Sequence, residues 1–100
     1  MADKTDRFKW QDEDTYWRGN FRSRPYASSA GRDYEFYQPG YRYGVEAANR
    51  FEGRSWDQVE PELSKNWSSY QHRGDSTWEH IKGAVRDAWD RLTGKPVGTH

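Results

Sequence analysis

The chain has 100 residues, no cysteine, and sixteen basic against sixteen acidic side chains. That length limits it to one small domain, the missing thiols exclude disulfides, thiol chemistry and most structural zinc sites, and the zero net charge excludes a global attraction to nucleic acid or anionic lipid. Four Val, two Leu and one Ile face seventeen aromatics, so a core has to be built from Trp, Tyr and Phe, each of which covers roughly 150–250 Å².

Residues 1 to 32 come first and carry no consistent period. The run Met1-Ala2-Asp3-Lys4-Thr5-Asp6 is charged and lacks the apolar stretch of a secretory leader, and no segment of the sequence approaches the length of a membrane span. A cytoplasmic protein without membrane contact is expected. Phe8, Trp10, Tyr16, Trp17, Phe21 and Tyr26 fit neither a helical nor a strand repeat, which predicts an extended arm laid over the rest of the chain. Within it, Tyr16, Trp17, Arg18, Phe21, Arg22, Arg24, Tyr26 and Arg32 form an acid-free run of arginines among aromatics. That composition suits single-stranded nucleic acid, whose bases stack while its phosphates are tracked. It also suits arginines that lie over buried rings and pair with carboxylates.

From residue 33 to 92 a pattern repeats with an offset of 22 residues. Tyr34, Tyr37, Tyr41, Val45 and Ala48 are followed by Trp56, Val59, Leu63, Trp67 and Tyr70, then by Trp78, Ile81, Val85, Trp89 and Leu92. Positions i, i+3, i+7, i+11 and i+14 fall within roughly a 100° arc of a helix and on both faces of a strand, so each copy predicts one aromatic helical stripe. A unit repeated in this way buries its apolar face only against its neighbours. Pro39 and Pro61 occupy equivalent positions, and a proline inside a helix removes a hydrogen bond and clashes with the preceding turn. Turns are therefore expected at residues 33–38 and 55–60, with helices starting at Pro39 and Pro61 and ending near Phe51 and Tyr70. Ser55 with Gln58 and Ser76 with Glu79 have capping-box spacing. The third helix is expected over Trp78–Leu92, stopped by Thr93-Gly94 and Pro96. Residues 93 to 100 read as a polar tail.

No catalytic constellation is visible. His72, His80 and His100 lack metal-ligand spacing, and His80 belongs to the exposed side of the third helix. Glu46 with Arg50 and Asp87 with Arg91 are spaced as ordinary i,i+4 pairs. Neither phosphate loops nor nucleophile elbows occur. No enzyme activity, metal or cofactor is expected.

The run Asp33-Tyr34-Glu35-Phe36-Tyr37-Gln38-Pro39-Gly40-Tyr41-Arg42-Tyr43-Gly44-Val45-Glu46, with Arg54 to Glu60, Ser76 to Lys82 and Asp87 to Leu92, resembles a group of small bacterial proteins of unknown function. They tend to occur in the company of general stress proteins. The likeness extends from about Asp14 to Thr93 and implies no active site. Trp78 to Leu92, through its Trp-x-x-Ile-Lys-Gly pattern, is also similar to short helical stress proteins of the CsbD type. The expectation is an all-α domain of three short helices over residues 33–92, with an extended arm over 1–32 and a tail over 93–100. It would act as a non-enzymatic stress-associated protein through protein contacts or homo-oligomerisation, because its large aromatics exceed what three short helices enclose. Binding of single-stranded nucleic acid through the arm is the competing expectation.

Overall fold

In a computed structural model the described residues are 8–24, 26, 33–51, 53–70 and 77–94. Among them are four α-helices and no strand: α1 (Trp10–Asn20), α2 (Tyr34–Arg50), α3 (Trp56–Asn66) and α4 (Trp78–Thr93). Single 3-10 turns follow the two short helices, at Phe21–Ser23 after α1 and Trp67–Ser69 after α3. The all-α class follows directly. No helix among the described residues is long and apolar enough to cross a membrane.

The aromatic stripes are the core. Tyr34, Tyr37, Tyr41, Val45 and Ala48 are all buried, as are Trp56, Val59, Leu63 and Trp67, and Ile81, Val85 and Trp89; Tyr70, Trp78 and Leu92 are partly buried at the ends. Helices α2, α3 and α4 begin at Tyr34, Trp56 and Trp78, three positions 22 residues apart. The long pair α2 and α4 makes the most extensive contact among the described elements. Glycine lets the two backbones close up there. A Cβ on Gly44 would stand 2.5 Å from the Val85 carbonyl oxygen and 2.7 Å from the Ala88 Cβ, and one on Gly40 would meet Ile81 and Ala84. Helix α1 packs on α2, with Trp17 stacked on Tyr41 at 4.5 Å between ring centroids. Helix α3 touches α4 through Trp56 and Trp89, and α2 through the Tyr43 hydroxyl, which donates to the Leu63 carbonyl at 2.8 Å.

Several local expectations are corrected. The arm is not extended: Trp10–Asn20 is a regular helix. With its 3-10 turn, it places Trp10, Glu13, Trp17, Phe21 and Arg24 at the same i, i+3, i+7, i+11, i+14 spacing that Trp56, Val59, Leu63, Trp67 and Tyr70 occupy in α3 and its turn. Two of those inward positions carry charge, which hid the periodicity. The helices also do not wait for their prolines. Pro39 and Pro61 lie six residues into α2 and α3, and residues 34–38 and 56–60 are helical rather than turns. Each proline removes the bond to a carbonyl four residues back, on Glu35 or Asp57. Both residues are exposed, so water can take up the lost bond.

The caps divide in the same way. Ser55 and Gln58 form the expected capping box. At α4 the cap is Thr77, whose hydroxyl accepts from the His80 N–H; Ser76 lies outside the described residues. Gly94 closes α4 in the left-handed region at φ 85°. Thr93 is the last helical residue, and residues 95–100, with Pro96, lie outside the described part of the chain.

Candidate functional site

The two charges at inward positions of α1 and its turn find partners on α4. Arg24 Nε donates to Asp87 Oδ2 at 2.7 Å and its Nη2 to Oδ1 at 3.3 Å, while Arg91 Nε donates to Glu13 Oε1 at 2.8 Å. Asp87 therefore bonds to Arg24 and not to the Arg91 of the expected i,i+4 pair. Glu46 likewise pairs with Arg42 at 3.4 Å, not with Arg50, and accepts from the Tyr70 hydroxyl at 3.0 Å. The Asp87 side chain is fully buried, and an ionised carboxylate there requires several donors.

A phenol donates to it as well. Tyr26 Oη donates to Asp87 Oδ2, and the Tyr26 and Tyr41 hydroxyls lie 2.7 Å apart. An ionised carboxylate only accepts. Tyr26 has thus committed its proton to Asp87, and Tyr41 must be the donor to Tyr26. The result is a directed relay, Tyr41 to Tyr26 to Asp87, with Arg24 holding its far end. Burial pushes the phenols of Tyr26 and Tyr41 well above the usual range, and the neighbouring Asp87 charge adds to the shift in both. For Arg24, burial works against the charge but is outweighed by the bond and charge of Asp87, so its pKa rises. Tyr37 donates to the Tyr26 carbonyl at 2.9 Å.

A second phenol–carboxylate pair lies between α2 and α1. The Tyr34 hydroxyl donates to Asp14 Oδ1 at 2.6 Å, and Gln38 and Arg18 also donate to that carboxylate. Burial raises the pKa of Asp14, but these bonds outweigh it and hold the group below the usual carboxylate range. Tyr34 moves the other way, raised first by burial and then by its bond to Asp14.

Two surface grooves repeat one design. In the larger, of about 580 Å³, Phe8, Trp10, Arg42, Val45, Glu46, Asn49 and Arg50 form the walls. The smaller, of about 290 Å³, is bounded by Trp56, Asp57, Glu60, Lys82, Gly83 and Arg86. In each, the arginine of a long helix lies over the first tryptophan of a short one, Arg42 at 5.9 Å from Trp10 and Arg86 at 5.4 Å from Trp56. In the larger groove the Asn49 amide makes two bonds to a single residue. It accepts from the Phe8 N–H at 2.9 Å and donates to the Phe8 carbonyl at 3.0 Å.

The seven described residues of the eight in the candidate arm are dispersed by this fold. Trp17 and Phe21 are buried, Tyr26 belongs to the relay, and Arg24 is paired with Asp87. Arg18 lies over Tyr34 and pairs with Asp14. Tyr16 is covered by Arg91 at 3.5 Å from its ring centroid, and exposed Arg22 lies over Phe21. Arg32 lies outside the described residues. The two faces needed for base stacking, ring and guanidinium, are thus largely turned onto each other. Sequence reasoning missed Asp87 and Asn49 because each reads as an ordinary polar residue of a helix. His80 is exposed, as its position suggested.

Among the described residues no three His, Cys, Asp or Glu side chains are arranged to hold a metal ion. No protein-family model matches the chain, and neither curated proteins nor solved structures give a significant match.

Proposed function

We propose that the protein is a non-enzymatic binding module that works by contact with another polypeptide, a partner protein or a second copy, through the groove beside Phe8. The observation that carries this reading is the Asn49 amide. It bonds the main chain of Phe8 at both its N–H and its carbonyl, and Trp10 and Arg42 line the same groove. Main-chain hydrogen bonds combined with side-chain pockets are a general means of holding an extended peptide. Exposed aromatic excess does not support the reading, because every Trp, Tyr, Phe, Val, Leu and Ile among the described residues is buried or partly buried. The setting we propose, from the sequence resemblance, is the bacterial cytoplasm under stress.

A photo-activated cross-linker placed at Arg50, on the groove, and separately at Lys65, an exposed residue of α3, tests the assignment in cells. A discrete adduct from position 50 and none from position 65 is expected. Equal labelling from both, or none from either, would remove the groove from consideration, and the adduct mass separates a partner from a second copy. A mobility series with single-stranded DNA and RNA at two salt concentrations addresses the competing reading. No shift is expected at low salt, where phosphate contacts are strongest, and a clear shift there would favour the arginine-rich N-terminal segment instead.

A further inference from the structure

The chain has no cysteine, and its one methionine is Met1. The sulfur side chains that ordinarily take oxidative damage are therefore missing from the folded interior, and the aromatic rings are the most readily oxidised groups left. Those rings are in contact. Trp17 stacks on Tyr41 with an interplanar angle of 7°, and Tyr41 bonds to Tyr26. The two kinds of ring differ in what they can do with a proton. The Trp17 Nε1 is buried with no hydrogen-bond partner, so an oxidised Trp17 has no base to receive its N–H proton and stays a cation in an apolar site, which is unfavourable. Tyr26 has its proton already directed at the Asp87 carboxylate.

We propose that Tyr26 is where a one-electron oxidation of this core comes to rest, as a neutral tyrosyl radical with its proton on Asp87. The step balances. A one-electron oxidant gains one electron and becomes its reduced form; Tyr26 loses that electron and, along the existing hydrogen bond, one proton; the Asp87 carboxylate becomes a carboxylic acid. The proton does not leave the pair. Trp17 and Tyr41 serve as the route by which the vacancy reaches Tyr26, and Tyr41 still has its own hydroxyl to donate to the Tyr26 oxygen once that oxygen has lost its hydrogen. The core would thus act as an electron donor towards strong one-electron oxidants. This activity is independent of the groove.

The test uses the full chain with photogenerated tris(bipyridine)ruthenium(III) as the oxidant, followed by rapid freezing and electron paramagnetic resonance. A neutral tyrosyl signal is expected, kept in Tyr16→Phe and reduced to near background in Tyr26→Phe. In deuterium oxide its formation should slow measurably, because a proton moves with the electron. A tryptophan radical in the unaltered chain, or a tyrosyl signal unchanged in size and line shape in Tyr26→Phe, would overturn the assignment. So would equal rates in the two solvents, a measurement on the unaltered chain that does not depend on how any variant folds.

Discussion

At Asp87 a single carboxylate joins three parts of the chain: its own helix, the Arg24 turn and Tyr26. Removing one partner of a buried ion pair leaves the other charged and unsolvated, at a cost of about 3–5 kcal/mol. Asp87→Ala is expected to lose that much in urea unfolding, and a loss no greater than that of exposed Asp57→Ala would show that the network does not hold α4 in place. The glycines make a second residue-scale contrast. An added Cβ meets nothing within 4 Å at Gly19, the Tyr26 ring at 3.0 Å at Gly83, and backbone at 2.5 Å at Gly44. Gly19→Ala should therefore gain up to about 1 kcal/mol of helix propensity. Gly83→Ala should fail to gain it, because Tyr26 is pinned by its bonds to Asp87 and Tyr41. Gly44→Ala should lose about 1–3 kcal/mol or more through overpacking. Thermal melts giving the three variants the same shift would contradict the α2–α4 contact described above.

Among the elements, α2 and α3 each run through a proline. From sequence alone, a helix starting at Pro39 or Pro61 would make Pro→Ala nearly neutral. With the proline inside the helix the expectation reverses. Pro61→Ala restores an N–H donor to the Asp57 carbonyl and removes a ring clash, worth up to about 3 kcal/mol, against about 0.4–1 kcal/mol lost because the unfolded chain becomes freer. A rise in melting temperature is expected for Pro61→Ala, which is exposed, and an unchanged or lower one would mean that α3 begins at the proline after all. Gly83→Pro, at the equivalent position of α4, should lose about 3 kcal/mol or more. The short helix and 3-10 turn occur twice, the first packed on α2 and the second touching α4.

For the whole molecule, buried phenols set the response to alkali. Burial raises Tyr26, Tyr34, Tyr41 and Tyr70, and pushes Tyr43 up to about 12. A free tyrosine in the unfolded chain titrates near 10. The folded state thus binds these protons more tightly than the unfolded state. Their contribution is fully present below about pH 10 and is lost as pH rises towards each raised value, at up to about 1.4 kcal/mol per pH unit for each group. Unfolding is expected between about pH 10 and 12, followed by circular dichroism together with phenolate absorbance. Phenolate appearing well before the helix signal falls would show that the rings titrate in the folded state and are not held as described. On the acid side Asp14, whose pKa is lowered, contributes stability above the usual carboxylate range that disappears as pH falls through its folded value. That effect is small because the group is still partly open to water, which screens its bonds.

The sequence by itself determined the helical class, the inward faces of α2, α3 and α4, the Ser55 cap and the Gly94 stop. All of these are local: a 3.6-residue period, a side chain reaching three residues along, a glycine free to take positive φ. Tertiary structure alone decided the fourth helix, the route of the prolines and the polar relay. Glu13 and Arg24 stand at inward positions where charge signals solvent until a counter-charge is found, and those partners, Arg91 and Asp87, lie 78 and 63 residues away. Pairing over that separation follows from how α1 and α4 pack, which no window along the chain contains. The same holds for the two prolines, since a defect inside a helix persists only where neighbouring helices hold both sides of it in place.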